Sequence, residues 1–259
     1  MFHDSSPRGC CPWRKSKKYN YNQGVDMAIL QKISTRHIII AVALLNLIMI
    51  FHGEVFRDLP AKHYREGSVG THISIILLFL VGFTSLQIFL GRRDQIIWLL
   101  IGLGFVFLAL DDWFMIHENI DKAIHHWFGI KQTSLTDRID DLLIALYGLI
   151  GAFFLYRYRA EILRYDRFLR FLGIGFGILV ASIVLDILSN DQAVLQWLGF
   201  SKTAALDIKL WLVAIEEVCK LMGGAVFLSG FLHVLRQVEN TPPETIDLAL
   251  QTTSAQSGR

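Results

Sequence analysis

Residues 95–118 read QIIWLLIGLGFVFLALDDWFMIHE, and their reading decides the fold. Positions 95–110 carry no charge, and Asp111, Asp112, His117 and Glu118 follow at once. An uncharged apolar stretch of this length, with its continuation, is what a membrane-crossing helix needs. A charged residue at mid-bilayer costs roughly 2.5–3.5 kcal/mol, less toward the interface, so acids closing such a segment mark a buried polar site. A second segment repeats the pattern: the run from Leu210 to Leu235 contains Glu216, Glu217 and Lys220.

Outward from these two segments, the 259 residues are 53% hydrophobic with mean hydropathy +0.43, which excludes an ordinary soluble domain. Spanning segments fall at about 37–56, 71–90, 95–118, 139–156, 168–189 and 208–235. The expectation is an all-α integral membrane protein, a bundle of about six transmembrane helices. The first and fourth segments are short or polar at one end, which leaves five as the alternative count.

Basic residues set the orientation, because the side rich in Lys and Arg stays inside. Sixteen lie in the leader, the second and fourth connections and the tail, against seven in the other three connections. Both termini are therefore expected in the cytoplasm of a bacterial inner membrane. Residues 1–36 read as a basic, largely disordered cytoplasmic leader, 37–236 as the polytopic domain and 237–259 as a disordered tail. Met27 is a plausible alternative start. Cys10 and Cys11 lie on the reducing side and Cys219 within a span, so no disulfide framework is expected.

The connection YRYRAEILRYDRF, within 156–168, interleaves arginine with tyrosine; residues 157–170 are expected to meet anionic lipid headgroups and not nucleic acid. In 119–138, Ile120, Ile124, Trp127 and Phe128 have the spacing of a short amphipathic helix lying on the outer surface, with Trp127 as an interface anchor. Small residues mark expected helix contacts: Gly173 with Gly177, Gly175, Gly148, Gly151, Gly102, Gly104, Gly223 and Gly224.

With that orientation the ionisable groups gather in the outer half. On one continuous helix Asp111 and Glu118 are nearly eclipsed, with His117 on a shared face, while Asp112 turns toward a neighbouring helix or water. Glu216 and Lys220 have the favourable i, i+4 order for an ion pair, leaving Glu217 without a partner. Asp141, Asp186 and His72 stand as supporting residues of the same layer. Its carboxylates outnumber the nearby cations, so protons, a metal or water must compensate them. Histidine among carboxylates is a ligand set for Zn, Mn or Fe. On this reading Asp111, His117, Glu118 and Glu216 hold a divalent metal, and Glu217, Lys220 and Asp112 do the chemistry. Asp140 and Asp141 read equally as helix-start residues, Asn46 as an interhelical hydrogen bond, and His63, His125 and His126 as solvated loop residues.

No GxSxG, HExxH or P-loop is present. Asp111-Asp112 with His117-Glu118, followed by Glu216-Glu217-x-x-Lys220, resembles bacterial multi-pass membrane proteins of unassigned activity; the likeness covers the third to sixth spans. A looser likeness is to the CREST membrane hydrolases, a zinc-dependent group. The HxxxH of their last helix is replaced here by Glu216-Glu217-x-x-Lys220, so their zinc ligands are not carried over. Three functions follow as expectations: a metal-dependent hydrolase acting on a lipid-like substrate, a proton- or cation-coupled transport protein, or an assembly subunit.

Overall fold

The computed structural model describes residues 34–55, 63–64, 67–129, 139–165, 167–190, 195 and 199–240. The leader with Cys10, Cys11 and Met27, the tail beyond 240, and the side chains of Asp140 and Asp141 lie outside the described residues. Among those described the fold is all-helical: α1 Thr35–Val55, α2 Val69–Gly91, α3 Ile96–Phe114, α4 Ile116–Phe128, α5 Ile139–Arg157, α6 Arg159–Ile162, α7 Phe168–Asn190 and α8 Lys202–Asn240. Five of them, α1, α2, α3, α7 and α8, are long and apolar enough to cross a membrane. The described apolar stretch of α5 is shorter, Leu142–Arg157.

Helix α8 is the axis. From Leu221 to Val238 it is buried almost without interruption, and it packs against α7, α2 and α1. Its 39 residues run about 58 Å, far beyond a hydrocarbon core of about 30 Å. Helices approach closely where side chains are smallest. A methyl on Gly223 would stand 3.1 Å from Leu179 of α7, and one on Gly224 3.4 Å from Leu77 of α2. A methyl on Gly82 would stand 3.1 Å from the Gly102 carbonyl oxygen and one on Gly102 3.1 Å from that of Gly82, so their absence lets α2 and α3 cross tightly. The glycine expectations hold only in part. Gly175 is the close contact of α7, filled by Phe227, whereas Gly104, Gly148, Gly151, Gly173 and Gly177 meet nothing within 4 Å. The sequence spacing was right for a helix face but did not say which face is covered.

These contacts fix the register. Leu77 opposes Gly224 and Gly91 opposes Val238, so α2 runs parallel to α8. Ser182 donates to the Glu216 carbonyl (3.2 Å) and Ser229 to the Thr35 carbonyl (3.2 Å), so α7 and α1 run antiparallel to it. His72 meets the Trp113 ring edge-on at 6.2 Å. Asn46, His72, Asp112 and Lys220 therefore stand at one level. Lys220 is sixteen residues from Arg236, about 24 Å along the helix.

Between that level and the arginine-rich end, aromatic side chains fill the space between α3 and α8. Phe105 touches Phe227 and Phe231 (both 5.8 Å), and Trp98 packs edge-on against Phe168 (5.3 Å), Tyr165 (5.3 Å) and Phe231 (6.0 Å). Gln95, 2% exposed, closes this plug: its Oε1 accepts from Trp98 Nε1 (2.8 Å) and from the Tyr165 hydroxyl (2.7 Å). Gln95→Leu leaves both buried donors without an acceptor and is expected to destabilise by about 2 kcal/mol. A lowered thermal midpoint in detergent, with helix content retained, checks it.

The segment 95–118 is not one helix. Helix α3 ends at Phe114, Met115 takes the left-handed conformation (φ 50°, ψ 46°), and α4 begins at Ile116. A non-glycine residue there is strained by roughly 1–2 kcal/mol. Side chains hold the break: Asn119 Nδ2 donates to the Phe114 carbonyl (3.0 Å), and Asp111 reaches across it, as described below. Helix α4 is also inverted relative to a helix lying in water. Trp127 and Phe128 are 80% and 73% exposed, while Asp121 and His125 are buried. His125, expected in a solvated loop, is thus an interior residue.

Candidate functional site

Asp111 is 2% exposed at the end of α3. Its Oδ1 accepts the backbone N–H of His117 (3.0 Å) and its Oδ2 faces His117 Nδ1 at 2.7 Å. One carboxylate thus satisfies an orphan amide of the first turn of α4 and fixes an imidazole. With Nδ1 so engaged, Nε2 is the ring nitrogen left for exchange of a proton.

On α8, Lys220 Nζ lies 2.7 Å from Glu216 Oε1 and 2.8 Å from Glu217 Oε1. The i, i+4 pair forms as its spacing implies, but Lys220 also takes Glu217 at i+3, so Glu217 is not the unpartnered acid the sequence suggested. Glu216 is buried and Glu217 half-buried, at 7% and 16% side-chain exposure, while Lys220 is 43% exposed. Lys220 therefore bridges two glutamates that are less exposed than it is.

Asp112 joins the two groups. It lies within electrostatic reach of Asp111 and His117 on its own side and of Lys220 and Glu217 across on α8. Asp186 of α7 lies within reach of Glu216, and Tyr147 of α5 within reach of Asp111. Among the described residues, four carboxylates on α3 and α8, with Asp186 of α7 beside them, therefore share a layer with one lysine and one histidine, and within that set acids outnumber cations.

The proposed ligand set does not assemble as expected. Among the described residues, no group of three or more His, Cys, Asp or Glu is arranged to hold a metal ion. The break at Met115 is the physical reason. It removes His117 and Glu118 from the helix of Asp111, and Glu118 pairs with Lys122 of its own helix (2.9 Å). Asp111 is committed to His117. His72 bonds the Ser68 carbonyl through Nδ1 (2.7 Å) and packs on Trp113, away from any ligand cluster.

Sequence reasoning missed Tyr64. It is 2% exposed in the connection between α1 and α2, with its hydroxyl 3.2 Å from Asn46 Oδ1. Asn46 in turn donates to the Val42 carbonyl (2.8 Å) of its own helix, an intrahelical bond where an interhelical one was expected. Burial, with the Glu217 charge second, pushes the Tyr64 phenol up from 10.0 to about 12. Because the folded state holds this proton more tightly, its contribution is fully present below the unfolded value. It is lost as pH rises from about 10 toward 12, at up to about 1.4 kcal/mol per pH unit. The alkaline unfolding of Tyr64→Phe should lack this component, which equilibrium melts between pH 9 and 12 measure.

A family model described as a domain of unknown function (DUF8692) matches residues 37–235. No curated protein and no solved structure matches.

Proposed function

The chain belongs to the DUF8692 family, and we propose that it is a proton- or cation-coupled membrane protein of the transport class. On this reading it sits in the bacterial inner membrane with six spans and both termini in the cytoplasm. The carboxylate layer opens to the outer side, and the arginines of 157–170 rest on anionic headgroups. Arg159 stacks over Tyr156 (4.5 Å) and Arg157 over Tyr158 (5.5 Å), which supports an interfacial belt there.

The observation that carries the reading is the charge balance around Asp112. Among the described residues, the cations within reach of Asp111, Asp112, Glu216 and Glu217 are Lys220 and His117, inside an apolar bundle where an uncompensated acid is expensive. Such a layer draws a proton or a small cation from the side on which it is open. The aromatic plug beneath it supports a closed inner gate, as alternating exposure of one site requires. The metal-dependent hydrolase reading has less support, because its ligands are spent on His117, Lys122 and Lys220.

Flux of protons and monovalent cations into proteoliposomes tests the proposal. Glu216→Gln and Asp111→Asn should each abolish gradient-driven flux; flux indifferent to both removes the transport reading. Stoichiometric metal in the purified protein, lost in His117→Ala, restores the hydrolase. Labelling of intact cells tests the orientation: a cysteine near Lys131 should react and one near Arg164 should not.

A further inference from the structure

Helix α4 places His117, Asp121 and His125 at four-residue intervals, so all three share one face. That face turns inward, since Asp121 and His125 are each 6% exposed while Trp127 on the other side is open. Two Asp–His pairs follow one another along it. Asp111 Oδ2 lies 2.7 Å from His117 Nδ1, and Asp121 Oδ1 lies 3.1 Å from His125 Nδ1. The second pair is at ion-pair distance without a side-chain hydrogen bond, because His125 Nδ1 bonds the Asp121 backbone carbonyl (3.0 Å). Asp121 Oδ1 and, on the far side of the ring, His125 Nε2 are buried with no hydrogen-bond partner among the described residues. Buried polar atoms almost always have a partner, and where protein supplies none an ordered water does.

We infer that the inward face of α4, His125–Asp121–His117, is a proton line, completed by bound water at Asp121 Oδ1 and His125 Nε2, that feeds Asp111 and Asp112. It rests on the proposed proton-coupled function and names the route by which outer-side protons reach the layer. Each step moves one proton and no electrons. An imidazole accepts at one ring nitrogen and releases from the other, to the next carboxylate oxygen or bound water. Histidine suits this task because it exchanges protons in the physiological range. Among the described residues, the titratable groups at the His117 end of this line are Asp111 and Asp112 from α3, with Tyr147 from α5 within reach of Asp111. Glu118 and Lys122 pair with each other on α4 itself (2.9 Å).

The test is the exchange rate of the His117 ring proton with water, read by NMR on the full-length, ¹⁵N-histidine-labelled protein in lipid nanodiscs. Asp121→Asn and His125→Gln should each slow that exchange by about a hundredfold. Asp121→Glu, which keeps a carboxylate, should restore most of it. A purely structural Asp121–His125 pair predicts the opposite sign, because loosening α4 admits water and speeds exchange. Unchanged or faster exchange in Asp121→Asn and His125→Gln overturns the proton line. Failure of the parent reading shows elsewhere, as a proton uptake by the whole protein that Asp112→Asn and Glu217→Gln leave unaltered.

Discussion

Replacing Asp111 by alanine is expected to lower stability by about 3–4 kcal/mol and to release α4 from the end of α3. Two interactions to one carboxylate are lost together: the His117 amide and the His117 ring, at 3.0 and 2.7 Å. Hydrogen bonds to a charged group contribute about 1.5–3 kcal/mol each. The left-handed Met115 also loses one of the contacts that hold it against its own strain. Asp111→Asn should be milder, since the amide oxygen still caps the His117 N–H. Thermal midpoints give the ranking. Hydrogen exchange gives the location, with protection lost in 116–128 and retained in α2 and α8.

The second large effect concerns Lys220. Lys220→Met strands Glu216 and Glu217 with no cation between them. Breaking a fully buried pair costs about 3–5 kcal/mol. Because Lys220 is 43% exposed, solvent screening reduces the expected loss to about 2–3 kcal/mol. Adding Glu216→Gln and Glu217→Gln to Lys220→Met should recover most of it, because the stranded charges then disappear. Unfolding of the single and triple variants decides. If the triple variant is less stable than Lys220→Met alone, the glutamates have another partner and the bridged-lysine account fails.

Much of the architecture was legible because apolar length is a strong signal. The segments at 37–56, 71–90, 139–156 and 168–189 reappear as α1, α2, α5 and α7 to within two residues. The break at Met115 was not legible. No glycine or proline marks it, and its cause is a side chain four residues upstream reaching a residue two downstream. The amphipathic period of α4 was visible from Ile120 to Phe128, and so was the outward Trp127, but the period did not show that the polar face is buried. In water Trp127 would turn inward; here Asp121 and His125 do. The site was half visible. Spacing alone put Lys220 beside Glu216, whereas its bond to Glu217 depends on rotamers. Tyr64 carried no sequence signal, since a lone tyrosine between charged residues reads as a loop.

The central claim is that the acids of α3 and α8 form one layer that takes up protons from the outer side. The most direct measurement is the number of protons bound per protein when the external medium of oriented vesicles is acidified. Asp112 and Glu217 lie on different helices, each within reach of Lys220. The account predicts that Asp112→Asn together with Glu217→Gln lowers the proton count below wild type, and that acidifying the interior alone gives no such difference. A double variant that binds as many protons as wild type from the outside would contradict it.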